Sequence, residues 1–200
     1  MLPHTAKPIP VAIIEDNRYI RRGWEMTLKS NAAFMVTGVF SSCEEAFASG
    51  KTADAHMVLM DIHLPGMSGI DGMRYLKKHN PRQEIIVCTV HEDDEIIFDA
   101  ICAGADGFMA KKTPPDEFIQ ILWKIRQGGS PITPYVARKI IAVIQKSSVN
   151  NDEWQILTQI ARGDSYLKVA KEQGIEVSEL SRRIRRIYRK VQAMLQNRSS

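Results

Sequence analysis

The sequence has few cysteines and no long hydrophobic run. Its three cysteines, Cys43, Cys88 and Cys102, are an odd number without CxxC spacing, which argues against a disulfide framework and favours reduced core residues. No apolar stretch approaches the ~20 residues of a membrane span. The first ten residues lack the charged segment, apolar segment and cleavage site of a secretory signal. We therefore expect a cytoplasmic protein without a membrane segment.

The charge is unevenly distributed along the chain. With 44% hydrophobic and 25% charged residues in 200, the composition is typical of one or two globular domains and excludes disorder as the main state. Residues 1–134 carry 14 basic and 17 acidic residues (net −3), whereas residues 135–200 carry 13 and 6 (net +7). An acidic body followed by a basic C-terminal region predicts two domains with different partners.

Short apolar or β-branched runs alternate with segments of helical periodicity. Nearly continuous apolar runs are typical of strands that are buried on both faces of a parallel sheet. Repeated strand–helix alternation predicts an α/β fold with a doubly wound, five-stranded parallel sheet that ends near Gln127. The five predicted strands are Val11–Ile14, Met35–Phe40, Met57–Met60, Glu84–Val90 and Gly107–Ala110.

Three carboxylates follow two of these strands. Glu15 and Asp16 come directly after the first strand, and Asp61 ends the third. Functional groups collect at the carboxyl ends of strands in such sheets. Carboxylates this close repel one another unless a cation joins them or a proton is taken up. Oxygen ligands with open positions suit Mg²⁺. Taken alone, these acids could equally be solvated loop residues.

Two further polar residues lie at the same predicted edge. Thr89 is at the end of the fourth strand, and Lys111 follows the fifth. Taken singly, Thr89 could be a β-forming residue at a strand end and Lys111 a surface lysine. Together with the three carboxylates they provide a nucleophile in Asp61, a metal cage and donors for phosphoryl oxygens.

The segment around Asp61 carries a specific motif. It reads Asp61-Ile-His-Leu-Pro65-Gly66-Met-Ser-Gly69, and a second segment reads Gly104-Ala-Asp-Gly107-Phe-Met-Ala-Lys111. Residues 11–127 thereby resemble the receiver domain of two-component response regulators, which has the flavodoxin-like or CheY-like fold.

This resemblance implies a role for each matching residue. Asp61 would be the phosphoacceptor for a sensor histidine kinase, and Thr89 and Lys111 would contact the phosphoryl group. Asp16, Asp61 and the backbone carbonyl of His63 would bind Mg²⁺, with Glu15 acting through water.

The resemblance also implies a switch made of Thr89 and an aromatic residue. That aromatic is Phe108, where many relatives have tyrosine. Because phenylalanine lacks the hydroxyl and is buried more readily, we expect a weaker dependence on phosphorylation. The alternative is that Phe108 is simply a core residue.

The C-terminal region has the pattern of a helix-turn-helix. Val136–Gln145 predicts a connecting helix, and Asn150 and Glu153 form a predicted capping box for the next one. Gly163 and Gly174 predict turns around a short helix that Ser165 caps. A longer helix from about Val177 carries an apolar stripe of Leu180, Ile184, Ile187 and Val191.

Six basic residues within nine positions lie off this apolar stripe. They are Arg182, Arg183, Arg185, Arg186, Arg189 and Lys190. Such a face suits DNA phosphates and guanine edges, although most charge runs are merely solvated surfaces. Residues 149–191 also resemble the LuxR-type, NarL-like helix-turn-helix domain, including its Ile184-x-Arg-Ile-Tyr-Arg-Lys-Val191 segment.

The sequence departs from that domain in three ways. Glu176 and Glu179 replace a serine and a threonine near the start of the recognition helix, where an acid would face phosphates unfavourably. Residues 192–200 leave no room for the complete fourth helix that commonly forms the dimer contact, so a homodimer on DNA is left open. Trp154 replaces a polar residue, and we favour local packing over a new contact.

We therefore interpret the chain as a receiver domain (residues 9–128), a linker with a connecting helix (129–148) and a helix-turn-helix domain (149–200). The favoured function is a non-enzymatic, phosphorylation-controlled transcriptional regulator that binds DNA, with RNA polymerase as a further candidate partner. The alternative is a protein-interaction regulator whose C-terminal region binds RNA polymerase, a sigma factor or another regulator. An aspartyl-phosphate phosphatase is disfavoured because its motif needs a second aspartate where His63 stands.

Overall fold

The computed structural model describes residues 7–90, 94–127, 134–144 and 148–198. By their contacts, the residues fall into two compact units. The first comprises Met1–Val90 and Met109–Ile121, and the second comprises His91–Phe108 and Leu122–Ser200. Among the described helices, none has both the length and the apolar character needed to cross a bilayer.

The sheet has the predicted five strands in the order β2-β1-β3-β4-β5, with parallel pairing of β1 to β2, β1 to β3 and β3 to β4. Every residue of β3 and β4 is buried, which explains their nearly continuous apolar sequences. The predicted doubly wound α/β sheet is confirmed. The strands are β1 (Ile9–Ile14), β2 (Phe34–Phe40), β3 (Met57–Asp61), β4 (Glu84–Thr89) and β5 (Gly107–Ala110).

Five helices accompany these strands. Side-chain caps fix where three of them begin, since Asn17, Ser42 and Ser68 each accept a hydrogen bond from a backbone N–H in the first turn. These caps place the start of a helix next to the end of a strand. The helices are α1 (Arg18–Lys29), α2 (Cys43–Ala48), α3 (Gly69–His79), α4 (Asp94–Ala103) and α5 (Pro115–Arg126).

The regular elements described in the C-terminal region are all helices. The capping box of Asn150 and Glu153 is present, and Ser165 caps the short helix as predicted. Gly163 and Gly174 adopt φ values of +94° and +63° at the two turns, in the left-handed region that favours glycine. The helices are α6 (Pro134–Val143), α7 (Asn151–Ala161), α8 (Tyr166–Glu172) and α9 (Val177–Arg198).

The core of the second unit joins α4 to the C-terminal helices. The predicted apolar stripe of α9 is at most 1% exposed, and it belongs to one cluster with Ile97 and Ile101 of α4. Trp154 packs against this cluster, as the packing interpretation expected. Contacts thus group α4 and the end of α5 with the helices that follow. The domain bounds 9–128, 129–148 and 149–200 stay a prediction. Of the predicted linker (129–148), residues 129–133 and 145–147 lie outside the described residues.

Candidate functional site

The three predicted carboxylates come together at the carboxyl ends of β1 and β3. Ile14 pairs with Met60 across these strands, so the residues that follow them lie side by side. One oxygen from each of Glu15, Asp16 and Asp61 lies within 4.8 Å of the others. Glu15 and Asp61 are buried, whereas Asp16 is exposed. We call these three residues the acidic cluster.

Lys111, which follows β5, binds two members of the acidic cluster. Its Nζ lies 2.7 Å from Glu15 Oε2 and 2.7 Å from Asp61 Oδ2. Burial alone would lower the pKa of Lys111, but hydrogen bonds to Asp61 and Glu15 outweigh that effect and raise it. Lys111 is therefore protonated at neutral pH and partly offsets the charge of the cluster.

Burial disfavours the charged form of Glu15. Its pKa is raised to about 6, mainly by burial and also by the nearby Asp61 charge, against the opposing hydrogen bond from Lys111. A cation beside Glu15 therefore stabilises its charged form, as Lys111 does in this structure.

Two residues that sequence reasoning did not single out hold the loop after β1. The Asn17 N–H donates to Glu15 Oε1 at 3.1 Å, while the Asn17 side chain caps α1. The Arg21 guanidinium, one turn later, donates to the Asp16 carbonyl at 2.8 Å. Asparagine at a helix start was a readable capping signal, but nothing local indicated the contact of Arg21.

The loop after Asp61 requires glycine at two positions, Gly66 and Gly69. Gly66 has a φ of +73°, which side-chain-bearing residues rarely adopt. At Gly69 an added Cβ would lie 1.9 Å from the carbonyl oxygen of Asp61, so only glycine permits this close approach. The His63 N–H donates to Asp61 Oδ1 at 3.2 Å, and the His63 side chain is exposed.

Thr89 and Phe108 are placed in different units. Thr89 ends β4, is 2% exposed, and its carbonyl accepts a hydrogen bond from the Lys111 N–H at 2.8 Å. Phe108 is half-buried and packs against the core cluster of the second unit. Its role as a switch stays a prediction.

The six basic residues of α9 have different environments. The side chains of Arg182 and Arg186 are 54% and 57% exposed, and Arg189 is also exposed. Arg185 is instead buried, and its guanidinium donates to the carbonyl of Ile125 in the last turn of α5. As placed here, Arg185 is not part of an open nucleic-acid surface.

Four of the six basic residues form ion pairs with Glu179 or Glu153. Glu179 lies 3.0 Å from Arg182, 3.3 Å from Arg183 and 3.1 Å from Arg186. Glu153 binds Lys190 at 2.6 Å. Within the part of the chain that is described, Arg189 forms no ion pair. Glu179, which was expected to face phosphates unfavourably, thus pairs with three of the arginines in this structure.

Comparison with known protein families identifies the first part of the chain. The family described as "Response regulator receiver domain" matches residues 11–123, which include the whole acidic cluster and Lys111. The chain is 30% identical to the transcriptional regulatory protein UhpA of Salmonella typhimurium, over 84% of this chain and 83% of that one. It is 28% identical to the probable transcriptional regulatory protein SgaR of Hyphomicrobium methylovorum, over 96% and 90% of the two chains.

Solved structures with the same fold cover both parts of the chain. The RcsB response regulator of Salmonella typhimurium matches with a TM-score of 0.57 at 21% identity, over 96% of this chain and 99% of that one. A structure of RcsB in complex with DNA matches with a TM-score of 0.57 at 22% identity, over 92% of each chain. The chain therefore belongs to the response regulators of two-component systems, among the transcriptional regulators of that family.

Proposed function

We propose that Asp61 accepts a phosphoryl group from a sensor histidine kinase and that this reaction controls a DNA-binding output. The bridge that Lys111 forms to Glu15 and Asp61, at 2.7 Å to each, is the observation that carries the proposal. It puts a fixed cation beside a buried carboxylate at the carboxyl edge of the sheet, where an incoming phosphoryl group needs compensation for its charge.

The residues of the acidic cluster fit Mg²⁺. Three carboxylates converge on one point, and Lys111 supplies a single positive charge against them. Carboxylate oxygens with one exposed member suit an ion that keeps several waters. Asp16, Asp61 and the His63 carbonyl would bind it directly, with Glu15 acting through water. When bound, Mg²⁺ would offset repulsion between the carboxylate and the phosphoryl oxygens.

The chain's own groups support transfer in the following way. An Asp61 oxygen attacks the phosphorus of a phosphohistidine, the P–N bond breaks, and the imidazole keeps the electron pair and takes up a proton. Lys111, which is held in place by Glu15, would bind a phosphoryl oxygen. The Thr89 hydroxyl would bind another.

The output proposal depends on α9. Arg182, Arg186 and Arg189 are exposed on one helix, and α7, α8 and the turn at Gly174 precede it as in a helix-turn-helix. The regulators named above and the RcsB–DNA complex support DNA as the partner. Homodimer formation and contact with RNA polymerase stay proposals that depend on this one.

Labelling with a small phosphodonor tests the receiver part. We expect radiolabelled acetyl phosphate with Mg²⁺ to label the wild-type chain and Asp54→Asn equally, because Asp54 is an exposed acid before β3. Asp61→Asn should abolish labelling, since the amide cannot form the acyl phosphate. Labelling that survives in Asp61→Asn would refute the assignment.

Fluorescence anisotropy with a mixed-sequence DNA duplex tests the output part. The logarithm of the binding constant should fall linearly with the logarithm of salt concentration, with a slope that reports the phosphates contacted. Arg186→Gln should weaken binding more than Arg82→Gln, which removes the same charge from an exposed position between α3 and β4.

A protein partner is the second candidate, and Glu179 favours it. This carboxylate holds three of the six basic residues that were predicted to bind DNA. Absence of duplex binding at low salt would reject the DNA proposal in favour of this alternative.

A further inference from the structure

Glu44, in the first turn of α2, reaches the loop that follows the strand of Asp61. We call residues 62–68, which lie between β3 and α3, the β3–α3 loop. Glu44 Oε1 accepts the backbone N–H of Met67 in this loop at 2.7 Å, across 23 residues of sequence. Because Glu44 is exposed, its carboxylate is held there by the hydrogen bond rather than by packing in a core.

The backbone that carries Glu44 is fixed against the start of α3. Cys43, the residue before it, is fully buried, and its Sγ lies 4.0 Å from the Ser68 carbonyl oxygen. A Cβ added at Gly72 would lie 2.5 Å from the same sulfur, so α2 and α3 approach each other closely at this point. Glu44 therefore extends toward the loop from a well-fixed position.

The β3–α3 loop is shaped to admit the Glu44 carboxylate. Gly66 has a φ of +73°, and a Cβ added there would overlap Glu44 Oε1. Glycine at this position thus leaves room for the carboxylate beside the loop backbone. The N–H groups of Glu44 itself and of Met67 lower the pKa of the Glu44 carboxyl. The carboxylate is therefore ionised at neutral pH, and a charged acceptor forms the stronger hydrogen bond.

The contact from α2 is one of several attachments of this loop. At its beginning, the His63 N–H donates to Asp61 Oδ1 at 3.2 Å. At its end, the Gly69 N–H donates to the Ile62 carbonyl at 2.9 Å. These two bonds join the loop to its own flanking residues, whereas the bond to α2 joins it to a different element. The contact from α2 can therefore fix where the loop lies relative to the rest of the receiver sheet and its helices.

We propose that Glu44 is a positioning residue of the receiver site, which holds the β3–α3 loop in the conformation that Mg²⁺ binding at the His63 carbonyl needs. The inference rests on the proposed function, in which Asp16, Asp61 and this carbonyl bind the ion. A loop that is already ordered loses less conformational entropy when one of its carbonyls binds a cation. Glu44 acts through the loop and does not itself bind the ion, because its carboxylate is engaged by Met67.

Hydrogen–deuterium exchange of the full chain in EDTA tests the hold on the loop without a metal. In Glu44→Ala the Met67 amide should exchange about fivefold faster, as expected for loss of one hydrogen bond. Glu44→Gln keeps a side-chain oxygen that can accept this N–H, so its exchange should remain close to that of wild type. Glu45→Ala is the matched control, because it removes an equal charge from the same turn and its carboxylate instead accepts the N–H and hydroxyl of Ser41.

Isothermal titration calorimetry with MgCl₂ tests the effect on the metal site independently of phosphorylation. Glu44→Ala should weaken Mg²⁺ binding about fivefold, less than the tenfold or more that is usual when a group bonded directly to a metal ligand is removed. Glu44→Gln should restore most of the affinity. Glu45→Ala should stay within about twofold of wild type, since a charge that acts only at long range is screened by salt.

The two measurements separate failure of this inference from failure of the proposed function. Equal Mg²⁺ affinity in wild type and Glu44→Ala would overturn the inference and leave the metal site standing, even if the loop exchanges faster. An equal loss of affinity in Glu45→Ala would also overturn it, because net charge would then explain the effect. Absence of Mg²⁺ binding in wild type would refute the proposed metal site itself, and the inference with it.

Discussion

The carboxylate of Glu153, in the first turn of α7, lies 2.6 Å from the ammonium of Lys190 on α9. The same Glu153 oxygen accepts the backbone N–H of Asn150 at 2.9 Å, which completes the capping box. The buried carboxylate of Glu153 thus caps the start of α7 and links α7 to α9 through an ion pair. The charge pattern predicted that Lys190 binds DNA, whereas in the structure Lys190 pairs with Glu153.

Loss of the Glu153 carboxylate should destabilise the second unit. Glu153→Ala removes both the cap and the ion pair, and we expect a fall in unfolding free energy of about 1–2 kcal/mol. Glu153→Gln can still accept the Asn150 N–H, so its cost should be smaller. Urea unfolding monitored by circular dichroism measures both. Glu172→Gln is the control, because Glu172 lies 4.0 Å from Lys168 with a side chain that is 47% exposed. The hydrogen bond that Glu172 accepts from Gln159 at 2.5 Å can also be accepted by a glutamine. An equal cost in all three variants would contradict this account.

Substitution of Gly69 by alanine should damage the receiver site itself. An added Cβ would meet the Asp61 carbonyl at 1.9 Å, so the backbone at the phosphoacceptor must shift. We expect a loss of about 1–3 kcal/mol in stability, together with slower labelling by acetyl phosphate. Gly23→Ala is a matched control, because its Cβ would meet nothing within 4 Å. In the middle of α1 that change should stabilise the chain by about 1 kcal/mol. Equal stability changes in the two variants would refute the close-approach argument.

The sequence predicts local features far better than contacts between distant segments. The strands and the caps at Asn150 and Ser165 follow from patterns of a few residues, and the acidic cluster follows from the rule that parallel strands share a carboxyl edge. The burial of Arg185 has no such signal. Its position off the apolar stripe predicted exposure, but its partner is Ile125, 60 residues away. The ion pair of Glu153 and Lys190, which are 37 residues apart, has no local sequence signal either. Pairing of charges on different helices depends on how those helices pack.

Cys43 should resist alkylation in the folded chain. Burial raises the pKa of its thiol to about 12, with smaller contributions from the charges of Glu44 and Asp71. The reactive thiolate is therefore scarce at pH 8 and becomes common only near pH 12. Iodoacetamide labelling followed by peptide mass spectrometry should modify Cys43 in urea but not in native buffer. Rapid native labelling at pH 8 would show that the α2 region opens readily.

Phe108 should weaken the dependence of the output on phosphorylation. Its ring already packs against the core shared by α4 and α9, and a hydroxyl at this position would favour a solvated ring. We expect beryllium fluoride, a phosphoryl mimic, to raise duplex affinity by a smaller factor in wild type than in Phe108→Tyr. Anisotropy titrations with and without the mimic measure the two ratios. Identical ratios would make Phe108 a plain core residue.

Removal of the Glu179 charge should strengthen non-specific DNA binding. Burial alone would raise the pKa of Glu179, but the hydrogen bond from Arg183 and the charges of Arg182 and Arg186 outweigh it and lower the pKa. The carboxylate is therefore ionised at neutral pH and competes with phosphates for these arginines. In Glu179→Gln, we expect higher duplex affinity and a salt slope steeper by about one unit for each arginine that gains a phosphate.

Glu172→Gln is the control for this experiment, because it makes the same charge change on α8, where Glu172 lies 4.0 Å from Lys168 rather than among the arginines of α9. If both variants gain affinity equally, net charge alone explains the effect. A loss of affinity in Glu179→Gln would instead mean that the carboxylate orients the arginines for binding. The salt slope separates these outcomes, since orientation changes affinity at a constant number of phosphate contacts, whereas release of arginines changes that number.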